Sequence, residues 1–226
     1  AHPKLREGKL RVLGEEGLAG DTVDTEFGMR KIHCENGKIY LNNEALYQRL
    51  ILDQGYWKDT LLTPPSDDAI KRDLELTLAM GFNGARKHQK IEDPRYYYWA
   101  DRMGVLVWGK MPSAYEFSSQ AQMQTMQEMT EFVETHYNHP SIITWVPVNE
   151  SWGVSRVLSE KQQQDFVRAL FYAVKGLDQT RLVSINDGWE QLSDGDFCAI
   201  HDYQLFPSNL DKYDDLQAVL SQAVQD

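Results

Sequence analysis

Six groups of polar and aromatic residues stand at regular intervals along the 226-residue chain, each just after a short apolar run. Asp53, Tyr56 and Trp57 form the first, and Arg86, Lys87, His88 and Gln89 the second. Trp108 and Lys110 come third, and Asn149, Glu150 and Trp152 fourth. Asn186, Asp187 and Trp189 form the fifth, and His201, Asp202 and Tyr203 the sixth. Carboxylates and amides suit hydroxyl groups, which need partners that both donate and accept. Tryptophan offers the largest face on which the C–H surface of a sugar ring can stack. The set points to carbohydrate and does not say which one. Glu150 ends the most apolar run, where partial desolvation would raise its carboxyl pKa, as a general acid requires. A structural Asn-Glu pair is the competing reading.

These residues can converge only if the runs are strands sharing one face. Between the runs lie stretches with helical spacing. Ile70, Leu74 and Leu78 recur behind Thr63-Pro64-Pro65-Ser66-Asp67-Asp68, with Gly81 as the stop. Pro94–Arg102 is a short helix closed by Gly104, and Ser118–Tyr137 a longer one. Ser159 with Gln162 reads as a capping box ahead of Phe166, Leu170, Val174 and Leu177, and 210–224 as a closing helix. The strands are expected at Ala45–Leu52, Phe82–Arg86, Val105–Trp108, Ile142–Val148, Leu182–Ile185 and Phe197–Ile200. Alternation of this kind predicts an α/β fold with parallel strands and crossover helices. An open doubly wound sheet and a (β/α) barrel both satisfy it. No Gly-rich phosphate turn follows the first strand, which disfavours dinucleotide binding. In a barrel, the strand ends form the active-site face.

Other residues have plainer readings. Trp145 reads as core, His139 as a structural hydrogen-bonding residue, and Tyr96-Tyr97-Tyr98-Trp99 as helix packing. Asp67 and Asp68 favour a helix N-terminus, and Met123, Met126 and Met129 belong to core or helix surface. The formal net charge of −11 and the absence of a basic stripe argue against nucleic acid. The run Ser141–Val148 is too short to cross a membrane. Cys34 and Cys198 are distant and read as free thiols, consistent with a cytoplasmic home. No cofactor and no metal site are expected. The chain opens Ala-His-Pro, with no initiating Met and no signal peptide, and is expected to be processed or cut from something longer.

The string Asn138-His139-Pro140-Ser141-Ile142-Ile143-Thr144-Trp145-Val146-Pro147-Val148-Asn149-Glu150-Ser151 resembles the signature around the acid/base of family 2 glycoside hydrolases, the β-galactosidase and β-glucuronidase group. Phe27-Gly28-Met29-Arg30, residues 36–42, residues 101–107 and His201-x-Tyr203 resemble further segments of that family. The resemblance implies a TIM-type (β/α)8 barrel, incomplete here at about six βα units, over residues 27–226. Residues 1–26 would be the last strands of a preceding immunoglobulin-like β-sandwich. It implies a retaining β-glycosidase acting on an oligosaccharide or β-glycoside, with Glu150 as acid/base and Asn149 on the sugar 2-hydroxyl. Arg86 would hold the nucleophile ionised, and His201 and Tyr203 would line the pocket. Asp53, His88, Trp108, Trp152, Asp187 and Trp189 complete the expected substrate-binding set. The nucleophile itself is expected beyond residue 226, which would leave the isolated chain inactive. Gln89 and Lys110 depart from the family pattern, which usually has a histidine and an acidic residue there. The alternative is a carbohydrate-binding module or regulator without hydrolysis. A barrel with two open edges is also expected to self-associate.

Overall fold

The computed structural model describes residues 4–14, 19–204 and 210–225. The chain begins with an antiparallel hairpin, β1 (Leu5–Leu13) and β2 (Ala19–Gly28), whose register runs from Leu5 opposite Gly28 to Val12 opposite Asp21. Its Leu10, Val12, Leu13 and Val23 are exposed. Next comes a small antiparallel sheet of β3 (Ile32–Glu35), β4 (Lys38–Leu41) and β5 (Glu44–Ala45). Its tight turns use Asn36-Gly37 and Asn42-Asn43, all at positive φ, a conformation that asparagine and glycine tolerate best. Arg30 anchors the connection by donating to the carbonyls of Pro140, Thr180 and Ile142 at 3.2, 3.0 and 2.9 Å.

The main sheet is parallel and five-stranded. Its strands are β6 (Leu50–Asp53), β7 (Gly84–Lys87), β8 (Leu106–Lys110), β9 (Ile142–Val146) and β10 (Leu182–Val183), neighbours in chain order. Helices α1 (Asp67–Ala79), α2 (Pro94–Met103), α3 (Ser119–His136) and α4 (Lys161–Leu177) make the crossovers. The sheet does not close, so β6 and β10 are its edges. This is the (β/α) barrel architecture, incomplete. Every residue of β9 is buried, as expected for a parallel strand covered on both faces. One apolar cluster lies between sheet and helices and includes Ile70, Leu74, Tyr97, Phe132, Trp145 and Leu170. A second fills the concave side, where Ile32, Trp108, Ile143, Val146 and Leu182 meet Ile39, Leu41, Leu46 and Phe197.

The helix signals act as read at three starts. Ser66 accepts from the Ala69 amide at 3.2 Å, Asp93 caps α2 with Pro94 in its first turn, and Ser118 accepts from the Ala121 amide at 3.1 Å. Trp145, Tyr96 and Tyr97 are core, and His139 bonds Asp101 at 2.6 Å.

Three expectations are corrected. The capping box at Ser159 does not form: the Ser159 hydroxyl turns to the Arg156 carbonyl, and Gln163, not Gln162, reaches back to Glu160. Residues 197–200 form no strand, because Phe197 packs into the concave core against Trp108, 5.3 Å between ring centroids. The expected closing helix breaks up into a 3-10 turn (Leu210–Tyr213), α5 (Leu216–Leu220) and β12 (Val224–Gln225). Asp215 caps α5 anew by accepting from the Ala218 amide, and β12 pairs in parallel with β11 (Glu190–Gln191). No helix among the described residues is long and apolar enough to cross a membrane.

Candidate active site

The C-terminal ends of β7, β8 and β9 carry Arg86, Lys110 and the Asn149-Glu150 pair to one place. Leaving β9, the backbone turns sharply: Glu150 and Ser151 have φ of 50° and 57°. Such conformations cost about 1–3 kcal/mol each for residues with a side chain and persist only where the surroundings enforce them. The enforcement is visible. Asn149 bridges to Asp187, and the Glu150 amide donates to the Asp187 carbonyl at 3.3 Å. The Ser151 amide donates to Asn186 Oδ1 at 3.1 Å, and Asn186 Nδ2 donates to Ser151 Oγ and the Glu190 carbonyl at 2.9 and 2.6 Å. Ser151 also bonds the Glu190 carboxylate.

Glu150 Oε1 accepts from the Tyr203 hydroxyl at 2.7 Å and lies 2.6 Å from His201 Nδ1. The other ring nitrogen of His201 is 3.4 Å from Asp187 Oδ1. Asp187 is buried and pairs with both Arg86 and Lys110. Lys110 in turn donates to Asn149 Oδ1 at 2.8 Å. Seven side chains therefore form one connected polar network.

Electrostatics follow from that network. Burial pushes the Asp187 carboxyl up, but the hydrogen bond from His201 and the Lys110 and Arg86 cations outweigh it and hold it far below the usual range. Burial likewise pushes Glu150 up. Hydrogen bonds from Tyr203 and His201, the His201 charge and a bond from Trp189 outweigh it, leaving Glu150 below its ordinary value. This corrects the expectation of a raised pKa: the strand end is desolvated, but three donors converge on the carboxylate. Burial, then the Lys110 cation, lowers His88.

Of the remaining expected residues, Trp189 borders this network, Trp108 lies under Arg86, and Asp53 stands apart. Asp53 pairs with the buried Lys87 at 2.7 Å, and Lys87 with Glu92 at 2.6 Å, a network apart from Glu150. Trp108 is 8% exposed, in the concave core, with Nε1 donating to Gln48 at 2.8 Å. The exposed Trp152 ring meets Tyr115 edge-on. Trp189 is 52% exposed and stacks on Tyr203, 6.4 Å between centroids. Lys110 and Asn186 stood in the strand-end groups but outside the expected substrate-binding set, and Ser151 and Glu190 were in neither. The signal for Lys110 was a lysine closing an apolar strand opposite an acidic strand end.

Among the described residues no group of three His, Cys, Asp or Glu side chains could hold a metal ion. What the arrangement offers is a carboxylate with attached proton donors, an adjacent amide and an aromatic rim at the mouth of a barrel sheet.

Comparison with known proteins gives this barrel domain a family. The model of glycosyl hydrolases family 2, TIM barrel domain, matches residues 32–223. The chain belongs to this family. It is 28% identical over 186 residues to a β-glucuronidase of Streptococcus agalactiae, covering 73% of this chain and 30% of the relative. It is 27% identical over 158 residues to a β-galactosidase of Psychromonas ingrahamii, covering 66% and 15%. The chain thus spans under a third of these relatives. Among solved structures, a β-glucuronidase of Parabacteroides merdae superposes with a TM-score of 0.71 at 22% identity, covering 80% of this chain and 24% of that one.

Proposed function

We propose that the chain is the acid/base-bearing part of a retaining β-glycosidase of the β-glucuronidase and β-galactosidase type. The observation that carries the reading is the placement of Glu150. Its carboxylate stands at the sheet mouth beside buried Asn149 and takes hydrogen bonds from His201 and Tyr203. In this reading Glu150 protonates the glycosidic oxygen as the C–O bond breaks, while a second carboxylate forms a glycosyl ester. Glu150 then takes a proton from the water that cleaves the ester. Sugar binding that separates Glu150 from Tyr203 and His201 would raise its pKa and let it hold the proton.

Retaining chemistry places its two carboxylates about 5–5.5 Å apart. Asp187 is a poor candidate for the second, being buried and neutralised by Lys110 and Arg86. The reading therefore takes the nucleophile from outside the described residues, and Arg86 is available to orient it. Residues 1–26 are read as strands of a preceding β-sandwich, supported by the exposed apolar side chains of the hairpin. The open edges β6 and β10 support self-association of the isolated chain. The two unpaired cysteines support a cytoplasmic location.

The test is hydrolysis of a panel of nitrophenyl β-glycosides by the 226-residue chain and by the product of the complete reading frame. Activity in the latter alone, lost in Glu150→Gln, is expected. Turnover by the 226-residue chain would overturn the external nucleophile. Silence from both would favour binding without hydrolysis, a reading that the exposed Trp189, Tyr203 and Trp152 support.

A further inference from the structure

Lys110 is 1% exposed, and Asn149 is fully buried beside it. The Lys110 ammonium donates to Asn149 Oδ1 at 2.8 Å and also to the Asp187 carboxylate. On the other side of the same amide, Asn149 Nδ2 is buried without a hydrogen-bond partner. A buried donor left unpaired is expensive, so it marks either a strained amide or one awaiting an acceptor.

The orientation of this amide is dictated by chemistry. An ammonium has three donors and no acceptor, so only the amide oxygen can face it. Turning the amide over would set Nδ2 against Lys110, donor against donor, and lose the bond as well. Asp187, braced by Arg86 and close to His201, keeps Lys110 from swinging away.

We propose that Lys110 is a positioning residue that fixes the polarity of the Asn149 amide, so that Asn149 meets a bound sugar only as a donor, through Nδ2, to an acceptor oxygen. The proposal deepens the glycosidase reading and rests on it for the identity of the ligand. A ligand oxygen that accepts there relieves the unpaired donor. A group that can only donate leaves it unpaired and adds a clash. Lys110 thus sets which ligand atom is tolerated beside Glu150 without touching the ligand itself.

Two measurements test this, one of which needs neither turnover nor ligand. In the 226-residue chain labelled with 15N, the Asn149 side-chain resonances are identified by their loss in Asn149→Asp. Lys110→Glu presents an acceptor and should turn the amide, so that Nδ2 becomes hydrogen-bonded. Its hydrogens should then exchange about tenfold or more slowly than in Lys110→Met, with the wild type resembling Lys110→Met. Equal exchange in both variants, or a wild type as protected as Lys110→Glu, overturns the proposal.

The second measurement uses the product of the complete reading frame and a hydroxylated iminosugar with its 2-deoxy counterpart as competitive inhibitors. The wild type should prefer the hydroxylated compound by about tenfold, the size of one hydrogen bond. Lys110→Met, whose amide is no longer held, should weaken that preference while still binding the deoxy compound, whereas in Lys110→Glu the hydroxyl can donate to the turned amide oxygen. Weakening of both compounds to the same degree would mean that Lys110 is merely structural. Should the wild type hydrolyse no glycoside and bind neither inhibitor, the glycosidase reading fails, and the exchange comparison alone decides the role of Lys110.

Discussion

His201 stands between Glu150 and Asp187, with Nδ1 2.6 Å from a Glu150 oxygen and Nε2 3.4 Å from an Asp187 oxygen. One imidazole thus ties an exposed-side carboxylate to a buried one, and their electrostatic roles diverge. Asp187 is enclosed by the Arg86 guanidinium, the Lys110 ammonium and His201, and serves as an anchor. Glu150 is held only by neutral or titratable donors, His201, Tyr203 and Trp189, and can change its proton state.

Tyr203→Phe removes one of these donors and leaves burial, which favours the neutral acid. The Glu150 pKa should rise toward its ordinary value. Carboxyl carbon shifts of labelled glutamates, followed by NMR against pH, would show it. An unmoved or lowered titration in Tyr203→Phe would contradict the assignment of Tyr203 as a donor to Glu150. In an active protein, where Glu150 must carry its proton for the first step, the same change should move the alkaline limb of kcat/KM to higher pH.

Asp187→Asn keeps the shape of the side chain and removes its charge. Lys110, which is buried, would then be left without its carboxylate. Breaking a buried pair from one side costs about 3–5 kcal/mol. Glu150→Gln keeps an acceptor for Tyr203 and should cost under about 1 kcal/mol. Urea unfolding of the two variants separates them, and similar losses would show that the Asp187 network does not hold the fold together.

The left-handed turn at Glu150-Ser151 depends on the Ser151–Asn186–Glu190 bonds. Ser151→Ala and Asn186→Ala should each cost about 1–3 kcal/mol, because each leaves a buried partner unpaired. Their effects should not add, since both remove the same bond, and the coupling should be about 0.5–3 kcal/mol in a double-mutant cycle. Strict additivity would dissolve the idea of a single latch.

Much of this was legible in sequence because its causes are local. Ser66, Ser118 and the Pro94 to Gly104 bracket mark helix limits through bonds to neighbouring residues. The apolar run Ile142–Val148 announces a doubly covered strand, and the Asn149-Glu150 pair follows it directly. The rest depends on distant partners. Lys110 and Asp187 meet across 77 positions, and the Glu150 pKa is set by residues 51 and 53 positions away. Residues 197–200 have a strand-like composition, but Phe197 packs on Trp108, a partner 89 positions away. Ser159 could cap a helix, yet α4 starts two residues later at Lys161.

Acid should destabilise the protein in two stages, and the first belongs to a histidine outside the site. His136 lies against Tyr97 and Phe132 and near His139. Burial, then the charge of His139, lowers its pKa from 6.5 to about 4. The fold thus favours its neutral form, while the unfolded chain takes a proton near pH 6.5. Its contribution is fully present above the unfolded value and is lost progressively as pH falls from about 6.5 to about 4. The lowered carboxyls of Asp178 and Asp187 act later, losing their contribution only as pH falls below about 4, the ordinary carboxyl value. His136→Gln removes the titrating group, so its unfolding free energy should change less between pH 6.5 and 4 than that of the wild type. Urea titrations at half-unit pH steps would resolve the difference. Parallel curves for the two proteins across that window would locate the first stage elsewhere.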